Sequence, residues 1–335
     1  MPSPTPARGP SAVALWANMA VIYLVWGSTY FGIAVAIETI PPFLMAAFRL
    51  TIAGLVIIAF DLLRHPEARH WPNRRQLRDS FIVGALLLGV GNGFVVFGQS
   101  LDVPSGIAAI LIEMTPLWFA LFGWLYFRQR LPRSVIGAIA LGAVGTFLLI
   151  APAGEGANRL DLVAIGFLLL AELGWVHGSI YSQHRAELPP SDLTASGLQM
   201  LAGGGVAFVE ALISGEPGRF QPEAVSTASL LALAYLILFG SMLAYTSYAW
   251  LLRNATLQLV ATHAYVNPVV AVALGTLFLR EPLSPRTIVA AGIILVAVAI
   301  IVTARGDLGP GAAGEPGDEL AEPGAGRGGR SEATA

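Results

Sequence analysis

The sequence predicts an all-α integral membrane protein with ten transmembrane helices, arranged as two inverted five-helix repeats. Charged residues make up only 12% of the 335 residues and apolar residues 55%, whereas soluble domains carry roughly 25% charged residues. The apolar residues are gathered in segments of the ~20 residues that a helix needs to cross a bilayer. One pair of these segments returns in the second half of the chain. Composition, segment length and duplication together predict the fold class.

The duplicated stretch runs from Ser105 to Ile150 and returns, altered, from Leu257 to Val302. At one constant offset the following residues coincide: Pro116 with Pro268, Gly123 with Gly275, Arg128 with Arg280, and Leu131 with Leu283. Each copy is an apolar helix containing a proline, a short turn bearing arginine, and a second apolar helix. Such a duplication indicates two related halves, and in a membrane protein it is typical of transporters. Because five helices per half is an odd number, the second half must be inverted.

Ten apolar segments follow one another with short, often proline-rich connections. They lie at about 13–36, 41–62, 80–99, 104–127, 133–151, 161–182, 193–213, 228–252, 256–279 and 285–304. The first repeat is therefore expected to cover residues 13–151 and the second residues 160–304. Residues 1–12 and 305–335 are rich in proline, glycine or alanine and lack hydrophobic periodicity, so we expect both termini to be disordered.

The distribution of arginine predicts that both termini are cytoplasmic. Loops on the side of the N-terminus hold Arg8, Arg64, Arg69, Arg74, Arg75, Arg78, Arg128, Arg130, Arg133, Arg185, Arg253 and Arg305. Loops on the other side hold Arg159, Arg219, Arg280 and Arg286. Since cytoplasmic loops carry the excess of positive charge, the first side is predicted to be the cytoplasm.

Short motifs recur in order along the chain. The first half contains Trp26-Gly27-Ser28-Thr29, Pro41-Pro42, Phe48-Arg49, Gly54, Thr115-Pro116-Leu117, Arg130-Leu131, Gly137 and Gly142. The second half contains Trp175, Gly178, Pro189-Pro190, Gln199, Gly204, Asn267-Pro268-Val269 and Arg280-Glu281-Pro282-Leu283. In this order and spacing the chain resembles the EamA-type transporters of the drug/metabolite transporter superfamily over nearly all of residues 13–304.

The resemblance implies a central cavity between the two repeats and the export of small metabolites from the cell. It also implies that the fifth and tenth helices serve packing or the contacts of a homodimer. The expected partners are therefore a small-molecule metabolite and the lipid bilayer of the inner or plasma membrane. One departure concerns the turn of the first copy, where Gln129 stands in place of the usual acid that the second copy keeps as Glu281.

Three ionisable residues inside the predicted spans are the first candidates for a site, because charges within a membrane are costly and usually functional. Arg49, Glu113 and Glu172 each lie about 8–11 residues from the start of their predicted helices, and all three helices start on the same side of the membrane. This spacing corresponds to a depth of roughly 12–15 Å. They can form the floor of a cavity, or Arg49 and Glu113 can form an ion pair that only joins two helices. In both cases one carboxylate is left over and can carry a proton.

The two aligned prolines and two histidines are further candidates. Pro116 lacks the amide that would bond the carbonyl of Ile112, and Pro268 has the same effect four residues earlier in its own helix. Freed carbonyls can build a polar site within an apolar helix, or each proline can be a simple kink. His177 and His263 can relay a proton or can be packing residues.

Aromatic and amide side chains complete the predicted lining of the cavity. Tyr248 and Trp250 are interpreted instead as part of an interfacial aromatic belt. The predicted cavity residues are Trp26, Ser28, Tyr30, Arg49, Asn92, Glu113, Pro116, Glu172, Trp175, His177, Gln199, Tyr245, His263, Asn267 and Pro268.

The sequence contains no pattern expected of an enzyme. Cysteine and lysine are absent, and there is no metal-ligand spacing, no phosphate-binding loop and no catalytic triad. We therefore expect no catalytic residue, no metal, no cofactor and no nucleic-acid partner, and any energy coupling must be secondary. Two alternative functions remain at this point: a membrane protein that handles lipid headgroups, and a structural or sensory membrane protein that transports nothing.

Overall fold

The computed structural model describes residues 11–64, 71–128, 131–150, 162–255, 259–260 and 262–306. We number the long helices α1 to α10 in chain order. They are α1 (Ala12–Ala36), α2 (Pro42–Arg64), α3 (Arg74–Gln99), α4 (Ser105–Phe127), α5 (Arg133–Ile150), α6 (Leu162–His184), α7 (Asp192–Ile213), α8 (227–254), α9 (His263–Phe278) and α10 (Pro285–Gly306). No strand occurs within these described ranges.

The composition of the helices confirms an all-α membrane protein. Eight of them, α1 to α4, α6 to α8 and α10, are long and apolar enough to cross a membrane, while α5 and α9 are shorter apolar helices. Large apolar side chains point outward, as expected for contact with lipid, and Phe147 and Leu277 are 70% and 74% exposed.

Some helix limits differ from the predicted spans. The third helix begins at Arg74, six residues before the predicted limit, because the side chain of Asn73 accepts hydrogen bonds from the amides of Arg75 and Gln76. A polar helix cap of this kind is invisible to a search for apolar segments. Gln129, residues 1–10 and residues 307–335 lie outside the described part, so the predictions made for them stay predictions.

Helices α2 and α7 are antiparallel, and their contacts define the two ends of the bundle. At the end where α1 begins, here called the near end, Asp61 of α2 accepts a hydrogen bond of 2.6 Å from the hydroxyl of Thr194 in α7. At the opposite, far end, Glu216 follows α7 and accepts from the amides of Phe43 (3.2 Å) and Leu44 (2.8 Å) at the start of α2. Each helix therefore has its beginning held by a carboxylate from the end of the other.

The remaining helices pack in pairs that cross between the halves of the chain. Helix α5 packs along α10, α6 packs on α3 and α4, and α1 packs on α8 and α9. The contacts are close where glycine allows it: a Cβ atom added to Gly203 of α7 would lie 2.5 Å from the Cβ atom of Leu88 in α3. Helix α1 thus packs on helices of the second half and α6 on helices of the first half, so each side of the bundle contains helices from both halves.

Helix α4 is broken in the middle. Its first segment ends at Ile112, Glu113 and Met114 form a turn, and the second segment begins at Thr115. The first segment packs mainly on α9 and also contacts α1 and α6, whereas the second packs on α10, α6 and α5. Helix α6 thus contacts both segments on either side of the break, and a cavity opens beside the second segment.

Three stretches of π-helix interrupt the described helices: Ile22–Trp26 in α1, Ala85–Asn92 in α3 and Leu236–Leu243 in α8. The stretches in α3 and α8 occupy equivalent places in the two halves. Such turns are rare and frequently occur at functional sites. Trp26, Asn92 and Ser241, which lie within them, all line the central cavity.

Candidate functional site

A cavity of about 680 Å³ lies in the middle of the bundle, between α1, α2, α3, α4, α6, α7, α8, α9 and α10. Its volume falls in the range of about 300–1,000 Å³ that is typical of small-molecule sites. The lining reaches Gln183 and Val302, which lie in the last turns of α6 and α10 at the near end. Since Gln183 is exposed, the cavity opens toward the near end.

The far end of the cavity is closed by the first segment of α4 where it packs on α9. Glu281, in the turn after α9, accepts hydrogen bonds from the amides of Ser105 (2.7 Å) and Gly106 (3.3 Å). These amides begin a helix, where a carboxylate is favoured by the helix dipole. Gly106 lies directly against Val272 of α9, because an added Cβ atom would be only 2.7 Å from that side chain. The contact therefore joins α4 to α9 tightly.

Glu113 lies at the break in α4 and contacts the other half of the chain. Its Oε1 atom accepts a hydrogen bond of 2.7 Å from the side-chain amide of Asn267, and its Oε2 atom lies 3.4 Å from Nδ1 of His263. The carboxylate is buried, with 6% of the residue exposed. The ring of His263 in turn packs edge-on against Trp26, with the ring centroids 5.4 Å apart. This cluster joins α1, α4 and α9 at the cavity wall.

Glu172 lies on α6 and faces the same break from the other side. Both of its carboxyl oxygens are 3.0 Å from the hydroxyl of Thr115, and the residue is 1% exposed. The same hydroxyl donates at 2.7 Å to the carbonyl of Ile112. That carbonyl is the one for which Pro116 supplies no amide. A buried carboxyl group is thus connected to the break through a single hydroxyl.

Arg49 lies on α2 at the base of the cavity, with 5% of the residue exposed. Its Nε atom donates to the hydroxyl of Ser241 at 2.9 Å, and its Nη1 atom is buried without a protein partner among the described residues. Asn92 and Asn267 also line the cavity, and their Oδ1 atoms are likewise buried without a hydrogen-bond partner among the described residues. Because buried polar groups normally find a partner, these three atoms are available to a bound molecule.

An ion pair between Arg49 and Glu113, one of the two interpretations of the sequence, does not form in the described structure. Glu113 is turned toward α9 by the amide of Asn267, while Arg49 reaches Ser241 on α8. The two charges therefore face the cavity from different helices.

Aromatic rings form much of the remaining wall. Trp26 and Tyr248 are in contact, with ring centroids 5.0 Å apart, and Tyr30, Trp175 and Tyr245 also line the cavity. The prediction that Tyr248 belongs to an interfacial belt is wrong. A π-helical turn takes up more residues than an α-helical turn, so regular helical spacing misplaces the residues that follow the π-helical stretch in α8.

The structure brings most of the predicted site residues to the cavity. Those that line it are Trp26, Tyr30, Arg49, Asn92, Glu113, Pro116, Glu172, Trp175, Tyr245, His263 and Asn267. Ser28, His177, Gln199 and Pro268 do not line it. Ser28 bonds a tyrosine hydroxyl of α8 at 2.6 Å, and His177 bonds the hydroxyl of Tyr126 at 2.7 Å. Gln199 accepts from Tyr245 behind the wall at 2.9 Å, and Pro268 is buried inside α9.

Thr115 and Ser241 are among the site residues that were not predicted from the sequence. Thr115 carried a signal, since a threonine beside a helix proline can bond a carbonyl in the preceding turn. Ser241 carried none, because its burial depends on the π-helical stretch of α8. Within the described ranges there is no group of three or more histidine and acidic residues that could hold a metal ion. For binding, the described lining offers one arginine, two carboxyl groups, one histidine, side-chain amides and aromatic rings.

Comparison with known proteins identifies the family. The sequence pattern of the EamA-like transporter family matches residues 13–151 and again residues 162–303. The chain is 36% identical over 291 residues to a protein of Escherichia coli K12 named "Uncharacterized inner membrane transporter YedA", covering 87% of this chain and 91% of that protein.

More distant relatives cover similar lengths. The protein PecM of Dickeya dadantii is 28% identical over 280 residues, covering 83% of this chain and 88% of PecM. A protein of Salmonella typhimurium named "Probable amino-acid metabolite efflux pump" is 23% identical over 306 residues, covering 84% and 92%. One crystal structure matches the fold with a TM-score of 0.60 at 20% identity, covering 89% of this chain and 100% of that one.

These findings confirm the resemblance predicted from the motifs. The family is one of transporters, and the Escherichia coli and Salmonella relatives are named as a membrane transporter and an efflux pump, not as enzymes. The chain belongs to the EamA-like transporter family of multi-pass membrane proteins.

Proposed function

We propose that this protein is a secondary transporter that exports small organic metabolites, namely amino acids or related compounds, by alternating access. In this proposal ten transmembrane helices form two inverted five-helix repeats, residues 13–151 and 160–304, and both termini are cytoplasmic. The observation that carries the proposal is a cavity at the centre of the bundle with unpartnered polar atoms, open at the near end and closed at the far end.

The contacts at the two ends of the bundle support inverted repeats. Asp61 holds the start of α7 at the near end, and Glu216 holds the start of α2 at the far end. If the two halves are inverted, the equivalent helices α2 and α7 must start at opposite ends of the bundle, as they do. The first helix of each half packs on the other half, since α1 contacts α8 and α9 while α6 contacts α3 and α4. The family pattern also matches the chain twice. Transporters of this kind place their site at the boundary of the repeats.

The arginine distribution supports a cytoplasmic near end. Among the described residues, the near end carries Arg64, Arg74, Arg75, Arg78, Arg128, Arg133 and Arg185. The far end carries Arg219, Arg280 and Arg286. With this orientation the cavity faces the cytoplasm, which is the side from which an exporter takes its substrate. Labelling of a cysteine at Ser3 by an impermeant thiol reagent in intact cells would contradict the orientation.

The charges of the cavity support a substrate with both an acidic and a basic group. The free Nη1 atom of Arg49 suits a carboxylate of the substrate, and Glu172 and the amide oxygen of Asn267 suit an ammonium group. The aromatic wall around Trp26 suits an apolar side chain. The Salmonella relative, named as a probable efflux pump for amino-acid metabolites, is consistent with this class.

The expected homodimer stays a prediction, because α5 and α10 pack on each other within one chain. The rival function, handling of lipid headgroups, requires access from the bilayer, whereas the observed opening is at the near end.

The test is metabolite profiling of the medium of cells that express the protein. Wild type should raise the extracellular level of at least one amino acid or related compound, and Arg49→Leu should abolish the rise. Arg64→Leu is the matched control, because it removes an exposed arginine from the same helix outside the cavity. An unchanged medium for wild type, or full export by Arg49→Leu, would overturn the proposal.

A further inference from the structure

The hydroxyl of Thr115 faces more acceptors than its proton can serve. It lies 2.7 Å from the carbonyl oxygen of Ile112 and 3.0 Å from each carboxyl oxygen of Glu172. A hydroxyl carries one proton to donate and accepts through its lone pairs. The carbonyl and an ionised carboxylate are both acceptors only. One of the two contacts therefore needs a second proton.

Only one placement of that second proton satisfies both contacts. If Glu172 is ionised, Thr115 donates either to Glu172 or to Ile112, and the other oxygen is left facing it with no proton between them. If Glu172 carries a proton, its carboxyl group donates to Thr115, and Thr115 donates to Ile112. Unsatisfied buried acceptors cost about 1–3 kcal/mol each. The geometry thus corresponds to a protonated Glu172.

Glu113, the other carboxylate of the cavity, has a different set of partners. Its oxygens face the side-chain amide of Asn267 and the ring of His263, and the amide is a donor in every state. Glu113 therefore accepts from a group that is always a donor, whereas Glu172 faces a hydroxyl already engaged by a carbonyl. The distinction between the two carboxylates follows from their donors.

The other charged and titratable groups that line the cavity come from the surrounding helices. They are Tyr30 of α1, Arg49 of α2, Glu113 of α4, Tyr245 and Tyr248 of α8, and His263 of α9. Helix α3 contributes the neutral Asn92. Arg49 is directed to Ser241, and His263 to Glu113. Thr115 is thus the group to which Glu172 bonds.

We propose that Glu172 binds the coupling proton of the transport cycle and that Thr115 transmits its protonation to the break in α4. This inference rests on the transport function proposed above. The step is a reversible gain of one proton by one carboxylate, which is later released into the cavity, and no other reactant takes part.

The transmission follows from the neighbours of α4. With Glu172 protonated, Thr115 holds the carbonyl of Ile112, and the first segment of α4 stays on α9 under the carboxylate of Glu281. Loss of the proton draws the hydroxyl to Glu172 and releases the carbonyl, so that the first segment can move away from α9. A substrate group that binds Glu172 displaces the proton, so proton and substrate move in opposite directions.

Single cysteines can report on this movement because the sequence contains none. Val272→Cys lies in the closed contact at the far end, and Ser179→Cys lies in the cavity. The purified protein in liposomes is treated with N-ethylmaleimide at a series of pH values. Each rate is divided by the rate of the same cysteine in the Glu172→Gln background, which cancels the ionisation of the thiol itself.

The expected result is that the rate ratio for Val272→Cys rises with pH, by up to about tenfold per pH unit for one linked proton. The ratio for Ser179→Cys should fall over the same range. Thr115→Val should remove the dependence, and Thr115→Ser, which keeps the hydroxyl, should retain it. Glu113→Gln should also retain it. A pH-independent wild type, or a dependence lost in Glu113→Gln, would overturn the proposal.

A second measurement needs no substitution of Glu172 and remains available if that variant does not fold. The infrared carbonyl band of a protonated carboxyl group is recorded in wild type and in Thr115→Ser and Thr115→Val. The band should shift in Thr115→Val only, and a band unchanged by the loss of the hydroxyl would overturn the proposal. Failure of either measurement alongside intact metabolite export would reject the proton coupling and leave the transport function in place.

Discussion

Helices α4 and α9 occupy equivalent places in the two halves and carry a proline at the same position, yet only one of them is broken there. Around Pro116, α4 turns at Glu113 and Met114 before it resumes. Around Pro268, α9 is continuous from His263 to Phe278, and the turn that precedes it, at Thr262, lies six residues before the proline. The proline alone therefore does not decide whether the helix breaks.

The residues before the two prolines account for the difference. In α4, the hydroxyl of Thr115 takes the carbonyl that Pro116 leaves free, which gives the break a stable bonded form. In α9, the corresponding residue is Asn267, and its side-chain nitrogen is engaged by Glu113 and His263. The two copies have thus diverged into complementary parts of one site, because α4 supplies the carboxylate and α9 supplies the amide that binds it.

The largest expected effect comes from removing the two prolines in turn. Pro116→Ala supplies the missing amide to Ile112 and should straighten α4, so export should fall at least about tenfold, the equivalent of 1.4 kcal/mol. Pro268→Ala relieves a helix that is already continuous and should raise the stability by up to about 3 kcal/mol. Export assays measure the first effect, and thermal unfolding of both purified variants measures the second. Equal loss of export in the two variants would contradict the comparison.

The next effect concerns the amide that α9 supplies to α4. Asn267→Leu leaves the buried carboxylate of Glu113 without its donor and should cost roughly 1.5–3 kcal/mol of stability. Asn254→Leu is the control, since within the described part of the chain Asn254 bonds a carbonyl of its own helix. In the double variant Asn267→Leu/Glu113→Leu most of the loss should return. Additive losses in thermal unfolding would show that the two side chains are not coupled.

The smallest effect concerns the cap at the far end. Glu281→Gln keeps a side chain of the same shape but loses the charge that faces the start of α4, which should weaken the closure by about 1 kcal/mol. Labelling of Val272→Cys should then rise about fivefold. Glu216→Gln removes a similar cap between α2 and α7 and should lower stability without changing the labelling. Identical responses of the two variants would argue against a specific role for Glu281 in closure.

The sequence predicted the class of fold and most of the positions around the cavity because both depend on local properties. The length of the apolar segments predicts the spans, and the similar depth of Arg49, Glu113 and Glu172 predicts that they line one cavity. Their partners were not predictable, since these depend on the rotation of each helix. The π-helical stretch in α8 brings Ser241 to Arg49, and the break in α4 turns Glu113 toward α9. Neither irregularity leaves a periodic signal in the sequence.

The central claim, that the far end of the cavity closes when the near end opens, is tested most directly by distances between spin labels. One pair, at Leu101 and Phe278, spans the far end, and another, at Gln183 and Thr303, spans the mouth of the cavity at the near end. Double electron–electron resonance should find two distances for each pair, and acidic pH should favour the short far-end distance together with the long near-end distance. If both pairs keep one fixed distance at every pH and with every exported metabolite added, the account of alternating closure is contradicted.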